Sequence, residues 1–248
     1  MNRTPNWQIT LAIVLTALAI FFYTVHFYIF RDFHHIGIYF LGDIAFVFIE
    51  VLLVALVLHR LLHHREQKAL RDRLHMLTGA FFSEIGGELL GKLAEFDPNS
   101  ENISSHLTTP QEWSEREFLN IRNIAVQHKS DISSKKSDLD NVKQLLAKNK
   151  WFILNLLQNE NLLKDESFTN LLWAVYHLTG ELEHRSDLKE MTDEEFRNLD
   201  GDIKRVYHLL LVGWMDYMNH LKKEYPFLFS LTSRKNPFGD DKSSVEIK

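Results

Sequence analysis

Asp43 and Glu50 are the only charged residues in Ile36–Leu58, IGIYFLGDIAFVFIEVLLVALVL, a run of 23 otherwise almost wholly apolar residues. They are seven positions apart. At about 100° per residue they fall on nearly one helix face, about 10 Å apart along the axis. An ionisable group in hydrocarbon is expensive, so it faces a partner, another subunit or a wet path. Two chemistries follow. Protonated, Asp43 and Glu50 would act as polar glue within a helix pair or between copies. Titrating, they would line a proton or cation path in an oligomer, because two helices per chain enclose no pore. His26 sits in the preceding apolar run at a depth similar to Asp43, so a His26–Asp43 contact is sterically open. Gly42 would allow the backbones to approach closely.

A second constellation is His177, Glu181 and His184, whose spacings of four and three put them on one helix face. Glu181-x-x-His184 is half of the carboxylate-bridged dimetal pattern of helical bundles. Asp216, His220, Glu84 and Glu88 are the nearest candidates for the other half, but there is no second E-x-x-H. The rival reading is a solvated surface network. His59, His63, His64 and His75 lie among basic residues. They read either as a metal or pH site or as a cationic segment facing anionic headgroups.

Other chemistry is excluded more firmly. The chain has no cysteine, which removes disulfides, thiolate metal sites and a thiol nucleophile. There is no Walker loop, no G-x-G-x-x-G and no G-x-S-x-G elbow. No catalytic residue and no cofactor is assigned. Residues 1–75 sum to +2 and the remainder to −7, an acidic balance that argues against nucleic acid as a partner.

The elements that must position these groups are helical. Ile9–Phe30 holds no Asp, Glu, Lys or Arg and as a helix measures about 33 Å, enough to cross a hydrocarbon core. Ala17-Leu18-Ala19 imitates a signal-cleavage site, but the apolar run continues too far beyond it. The connection Arg31-Asp32-Phe33-His34-His35 is too short for a re-entrant pore loop. It predicts a tight antiparallel hairpin of spans 9–30 and 36–58 after a tail of residues 1–8. Arg60, Arg65, Lys68, Arg71 and Arg73 follow span two, against one arginine in the loop. Both termini are therefore expected in the cytoplasm.

Span two is expected to continue as a helix over residues 59–97, with an apolar stripe from Leu70 to Phe96. Gly86-Gly87 marks a bend or close crossing, and Asp97-Pro98 marks the stop. Residues 98–231 read as a cytoplasmic helical bundle, opening on a polar loop at 98–108. Thr109-Pro110-Gln111-Glu112 reads as a capping box for a helix to about Lys129. Helices follow at about Leu139–Leu157 and Ser167–His184, then one or two from the capping box Thr192–Glu195 to about Lys223. Tyr225–Phe229 breaks the last helix and packs on the bundle or near the lipid surface. Residues 232–248 read as a mobile tail. The fold class is all-α, a two-helix transmembrane hairpin continuing into a cytoplasmic bundle.

The segments YFLGDIAFVFIEVLLVALVLHRLL (Tyr39–Leu62), AFFSEIGGELL (Ala80–Leu90) and HLKKEYPFLFSLTSRKNPF (His220–Phe238) resemble a family of bacterial and archaeal two-span membrane proteins. The resemblance covers nearly the whole chain. It implies a membrane-bound helical architecture and carries over no activity, ligand or catalytic residue. The expected role is a multi-pass protein of the prokaryotic inner membrane, anchoring an interaction or signalling domain with a homo-oligomer or another protein as partner. The alternatives are an oligomeric conducting element built on Asp43 and Glu50, and a membrane-bound metalloenzyme.

Overall fold

The structure is a computed structural model that describes residues 7–107, 113–134, 139–185, 188 and 191–238. It is all-helical, with no strand among the described residues. The helices are α1 (Trp7–Phe30), α2 (Phe33–Phe81), α3 (Gly87–Ala94), α4 (Ser100–Leu107), α5 (Glu115–Gln127), α6 (Leu139–Leu157), α7 (Glu166–His184), α8 (Asp193–Glu224) and α9 (Pro226–Arg234). A π-helical segment, Phe82–Gly86, joins α2 to α3. The chain divides into two compact units, Met1–Gln67 and Lys68–Lys248.

The first unit holds α1 and the first part of α2. Both are long and apolar enough to cross a membrane, and neither buries its apolar stretch within the protein. Ile13, Phe22, Phe48 and Leu53 are all more than half exposed. The turn between the helices is tight. Arg31 adopts φ 48°, a left-handed residue just past the end of α1. Asp32 then caps α2, its carboxylate accepting the His34 N–H at 2.9 Å.

The second unit is a bundle whose main packings are α6 on α7, α7 on α8 and α5 on α8, with α3 also against α8. α8 is the central helix because apolar residues recur along it at helical spacing. Leu199, Ile203, Val206, Leu210, Leu211, Met215 and Met218 are essentially fully buried. Its start is the expected capping box: Thr192 Oγ1 accepts from the Glu195 N–H and the Glu195 carboxylate accepts from the Thr192 N–H. It runs unbroken to Glu224, and Pro226 opens α9 at its first turn, where a missing N–H costs nothing.

Four expectations are corrected. Residues 98–108, read as a loop, contain α4. Ile103 and Leu107 lie one turn apart and are wholly buried, and two apolar residues in a polar octet suffice to dock a two-turn helix. The capping box at Thr109–Glu112 lies outside the described residues. α5 starts instead at the box Ser114–Glu117, where Ser114 N–H donates to Glu117 Oε2 at 2.6 Å. Trp113 packs its ring edge-on against Phe118 at 4.9 Å, the hydrophobic staple of that start. The continuous helix expected to Phe96 is interrupted by the π segment. Its wider turn lets adjacent residues Phe81 and Phe82 both face the core. Last, of the tail expected at 232–248, the part to Arg234 is helical, and residues 239–248 lie outside the described residues. Beyond Arg234 the Asn236 side chain donates to the Leu107 carbonyl and Phe238 is buried.

Candidate functional site

In the first unit the Tyr23 hydroxyl lies 3.5 Å from Asp43 Oδ2. The Tyr23 ring also meets Phe40 edge-on at 6.4 Å. His26 packs its ring against Phe30 at 4.7 Å. Thr16 and Thr24 return their hydroxyls to carbonyls one turn back, so neither offers a polar group outward. Glu50 is exposed and makes no hydrogen bond or ion pair among the described residues.

The second unit carries two polar arrangements. His75 of α2 and His220 of α8 stack face to face, centroids 3.4 Å apart and planes within 10°. Burial holds the His75 ring below its usual pKa, against the opposing pull of Asp72 and Asp165. Burial, then the His75 ring itself, does the same to His220. His220 Nε2 is buried with no hydrogen-bond partner among the described residues. Two neutral imidazoles stack well, whereas two imidazolium ions would repel.

His75 borders two clefts. One, of about 310 Å³, is floored by Phe82, Phe168 and Tyr217. Across its rim Arg122 donates two bonds to the Asp216 carboxylate, the closer fork that raises the guanidinium pKa. His208 lines the same cleft, lowered by burial and by the His128 ring. The other cleft, of about 420 Å³, lies between α2 and the α8–α9 corner and is lined by Met76, Gly79, Tyr225, Leu228 and Leu231 among others.

The second arrangement is buried. Asp97, with a side chain wholly removed from solvent, sets Oδ2 2.6 Å from His128 Nε2. Its Oδ1 accepts the N–H groups of Asn99 and Asp131 at 3.1 and 2.9 Å. These bonds tie the corner after α3 to the loop after α5. The His128 ring meets Tyr207 edge-on. The Tyr207 hydroxyl is buried without a hydrogen-bond partner among the described residues, and burial together with the Asp97 charge pushes its pKa well up. The sequence marked Asp97 only as a helix stop. His75 and His220 stand 145 positions apart, so only folding brings them together.

The metal candidates each have a separate partner. His177 and His184 share α7 with Glu181, yet His177 Nε2 lies 3.5 Å from Asp202. Glu181 accepts from Arg185 at 2.7 Å, which lowers its carboxyl pKa. His184 Nδ1 donates to the Gly180 carbonyl at 2.7 Å. No group of three His, Asp or Glu side chains among the described residues is placed to hold a metal ion. Of the other candidates for that site, Asp216 is committed to Arg122 and Glu88 faces Lys92 on its own helix at 3.6 Å.

Comparison with known proteins gives the same division. Residues 2–62 match the family model described as MJ1433, N-terminal helical domain. Residues 70–234 match that described as Uncharacterized protein MJ1433, C-terminal helical domain. The chain is 41% identical over 240 residues to Uncharacterized protein MJ1433 of Methanocaldococcus jannaschii, covering 97% of this chain and 96% of that one. No solved structure matches. The chain therefore belongs to the MJ1433 family and carries both of its helical domains, in order.

Proposed function

We propose that this is an integral membrane protein of the prokaryotic inner membrane. In this reading α1 and the apolar part of α2 form a spanning hairpin that anchors a helical interaction or signalling module in the cytoplasm. One observation carries the reading: two long helices, each with an apolar stretch of membrane-spanning length that is not buried within the protein. Exposed apolar surface on that scale marks contact with lipid or with another protein. The basic residues after span two set the orientation. The second unit suits interaction better than catalysis. Its strongest polar groups, Asp97–His128 and Arg122–Asp216, are engaged with one another.

The test is extraction of native membranes at alkaline pH, followed by in-cell crosslinking. The intact chain should stay in the pellet and crosslink to itself or to a partner. Release into the supernatant defeats the anchoring half, and recovery of monomer alone defeats the interaction half.

A second reading rests on Glu50, an exposed carboxylate without a partner among the described residues in an otherwise apolar stretch. With Asp43 it would serve a proton or cation path through an oligomer. Liposome flux that survives Asp43→Asn with Glu50→Gln removes this reading.

A further inference from the structure

We infer that the α8–α9 corner of the second unit docks on an anionic lipid surface, through Tyr225, Phe227, Leu228 and Leu231 with the basic residues around them. The inference rests on the membrane-anchored reading above and adds a second point of membrane contact.

α9 is two-faced. Phe229 and Ser233 are buried against the unit. Phe227 is 82% exposed, and Tyr225, Leu228 and Leu231 are exposed beside it. Met76 of α2 lies across the same cleft, itself exposed. Phe227 is among the most exposed large apolar side chains of the second unit, and it sits in a group.

The charge around this group opposes that of the rest of the unit. Residues 76–248 sum to −7. Yet Asp72 and His75, which line the cleft with Tyr225 and Leu228, are interleaved with Arg71 and Arg73, just after Lys68. Lys222 and Lys223 immediately precede Tyr225. The acids nearby are Asp72, Glu224, Glu115 and Glu117, the last lying close enough to Lys222 to feel its charge. Glu115 meets Lys223 at 3.1 Å, but both side chains are at least half exposed, so that pair holds little. Lys222 donates to the Trp113 carbonyl and lies 5.5 Å from the Phe118 and Phe229 ring centres, which keeps its charge beside the corner.

Lipid fits this face better than protein does. Four or five side chains fall far short of the roughly 1,000 Å² that a stable protein interface buries. A short amphipathic helix with aromatic residues and flanking Lys and Arg is what an interfacial membrane contact requires.

The chain has no cysteine, so single-cysteine variants of the full-length protein can be spin-labelled uniquely. Phe227→Cys, Leu53→Cys in span two and Trp151→Cys at an exposed position of α6 would be placed in nanodiscs of phosphatidylglycerol or of phosphatidylcholine. Relative accessibility to oxygen and to a water-soluble nickel chelate is then measured. In phosphatidylglycerol, positions 227 and 53 should favour oxygen and position 151 the chelate. In phosphatidylcholine the preference at 227 should fall severalfold while 53 is unchanged. Position 227 behaving like 151 while 53 remains in lipid overturns the corner contact and leaves the anchor standing. Position 53 also behaving like 151 overturns the anchor and the contact together. Spin–spin broadening at 227, with both reagents excluded, assigns the face to a second copy and likewise overturns the proposal.

Discussion

Gly86 shows how little room the core leaves at one residue. Its φ of −62° is one that any residue adopts, so conformational freedom is not what selects glycine. A Cβ there would lie 2.7 Å from Phe81 Cε1 and 2.8 Å from Phe82 Cδ1, and both rings are buried. Gly86→Ala should destabilise the bundle by about 1–3 kcal/mol, the cost of overpacking, read from the denaturant midpoint. Asp97→Ala should cost more, about 3–5 kcal/mol, because it strands a buried imidazole and two backbone N–H groups. The stacked histidines add a pH dependence. Their folded pKa values lie below the ordinary 6.5, so on acidification the unfolded chain takes up protons first. Their contribution is present above pH 6.5 and is lost as pH falls through the lower folded values. Midpoints at pH 7.5 and 5.5 should therefore differ, and His220→Asn should reduce the difference.

At the scale of elements, starts and stops were more legible in the sequence than interruptions. α6 matches its expected bounds because Leu139, Val142, Leu145, Leu146 and Ile153 keep one period and all are buried. The start of α8 was readable because Thr192 and Glu195 satisfy each other's backbone locally, with no help from the fold. Thr192→Ala should cost about 1 kcal/mol and fray that first turn, which amide exchange at Asp193–Glu195 would detect. α4 was not readable, since Ile103 and Leu107 alone make no periodic pattern. Nor was the π segment: Phe81-Phe82 in sequence gives no sign that both rings will turn inward. Trp151 lies in the apolar second half of α6, yet its ring is 75% exposed. The polar sites depend on contacts across the bundle, so periodicity could not reveal them. Asp97 waits for His128, and His75 for His220.

Across the whole molecule the division is into one unit with an apolar surface and one with an apolar interior. The first unit presents apolar side chains outward along two helices, while the second buries them around α8. That contrast was visible from composition alone, because Ile9–Phe30 and Ile36–Leu58 hold nearly all of the unbroken apolar sequence. If the hairpin spans the inner membrane as proposed, the turn faces outward. A cysteine at His34 should then react with an impermeant maleimide in intact cells, once the outer barrier is opened. One at Trp151 should react only after the inner membrane is permeabilised.

The π segment has a further consequence for changes in chain length. Its five residues occupy roughly one turn, so it stores one residue more than plain helix would. Removing a single residue from Phe82–Gly86 would let the backbone close into ordinary α-helix without shortening the rod. Adding one would have nowhere to go. Single deletions here should therefore be far better tolerated than single insertions, although Phe81 and Phe82 could then no longer share the interior.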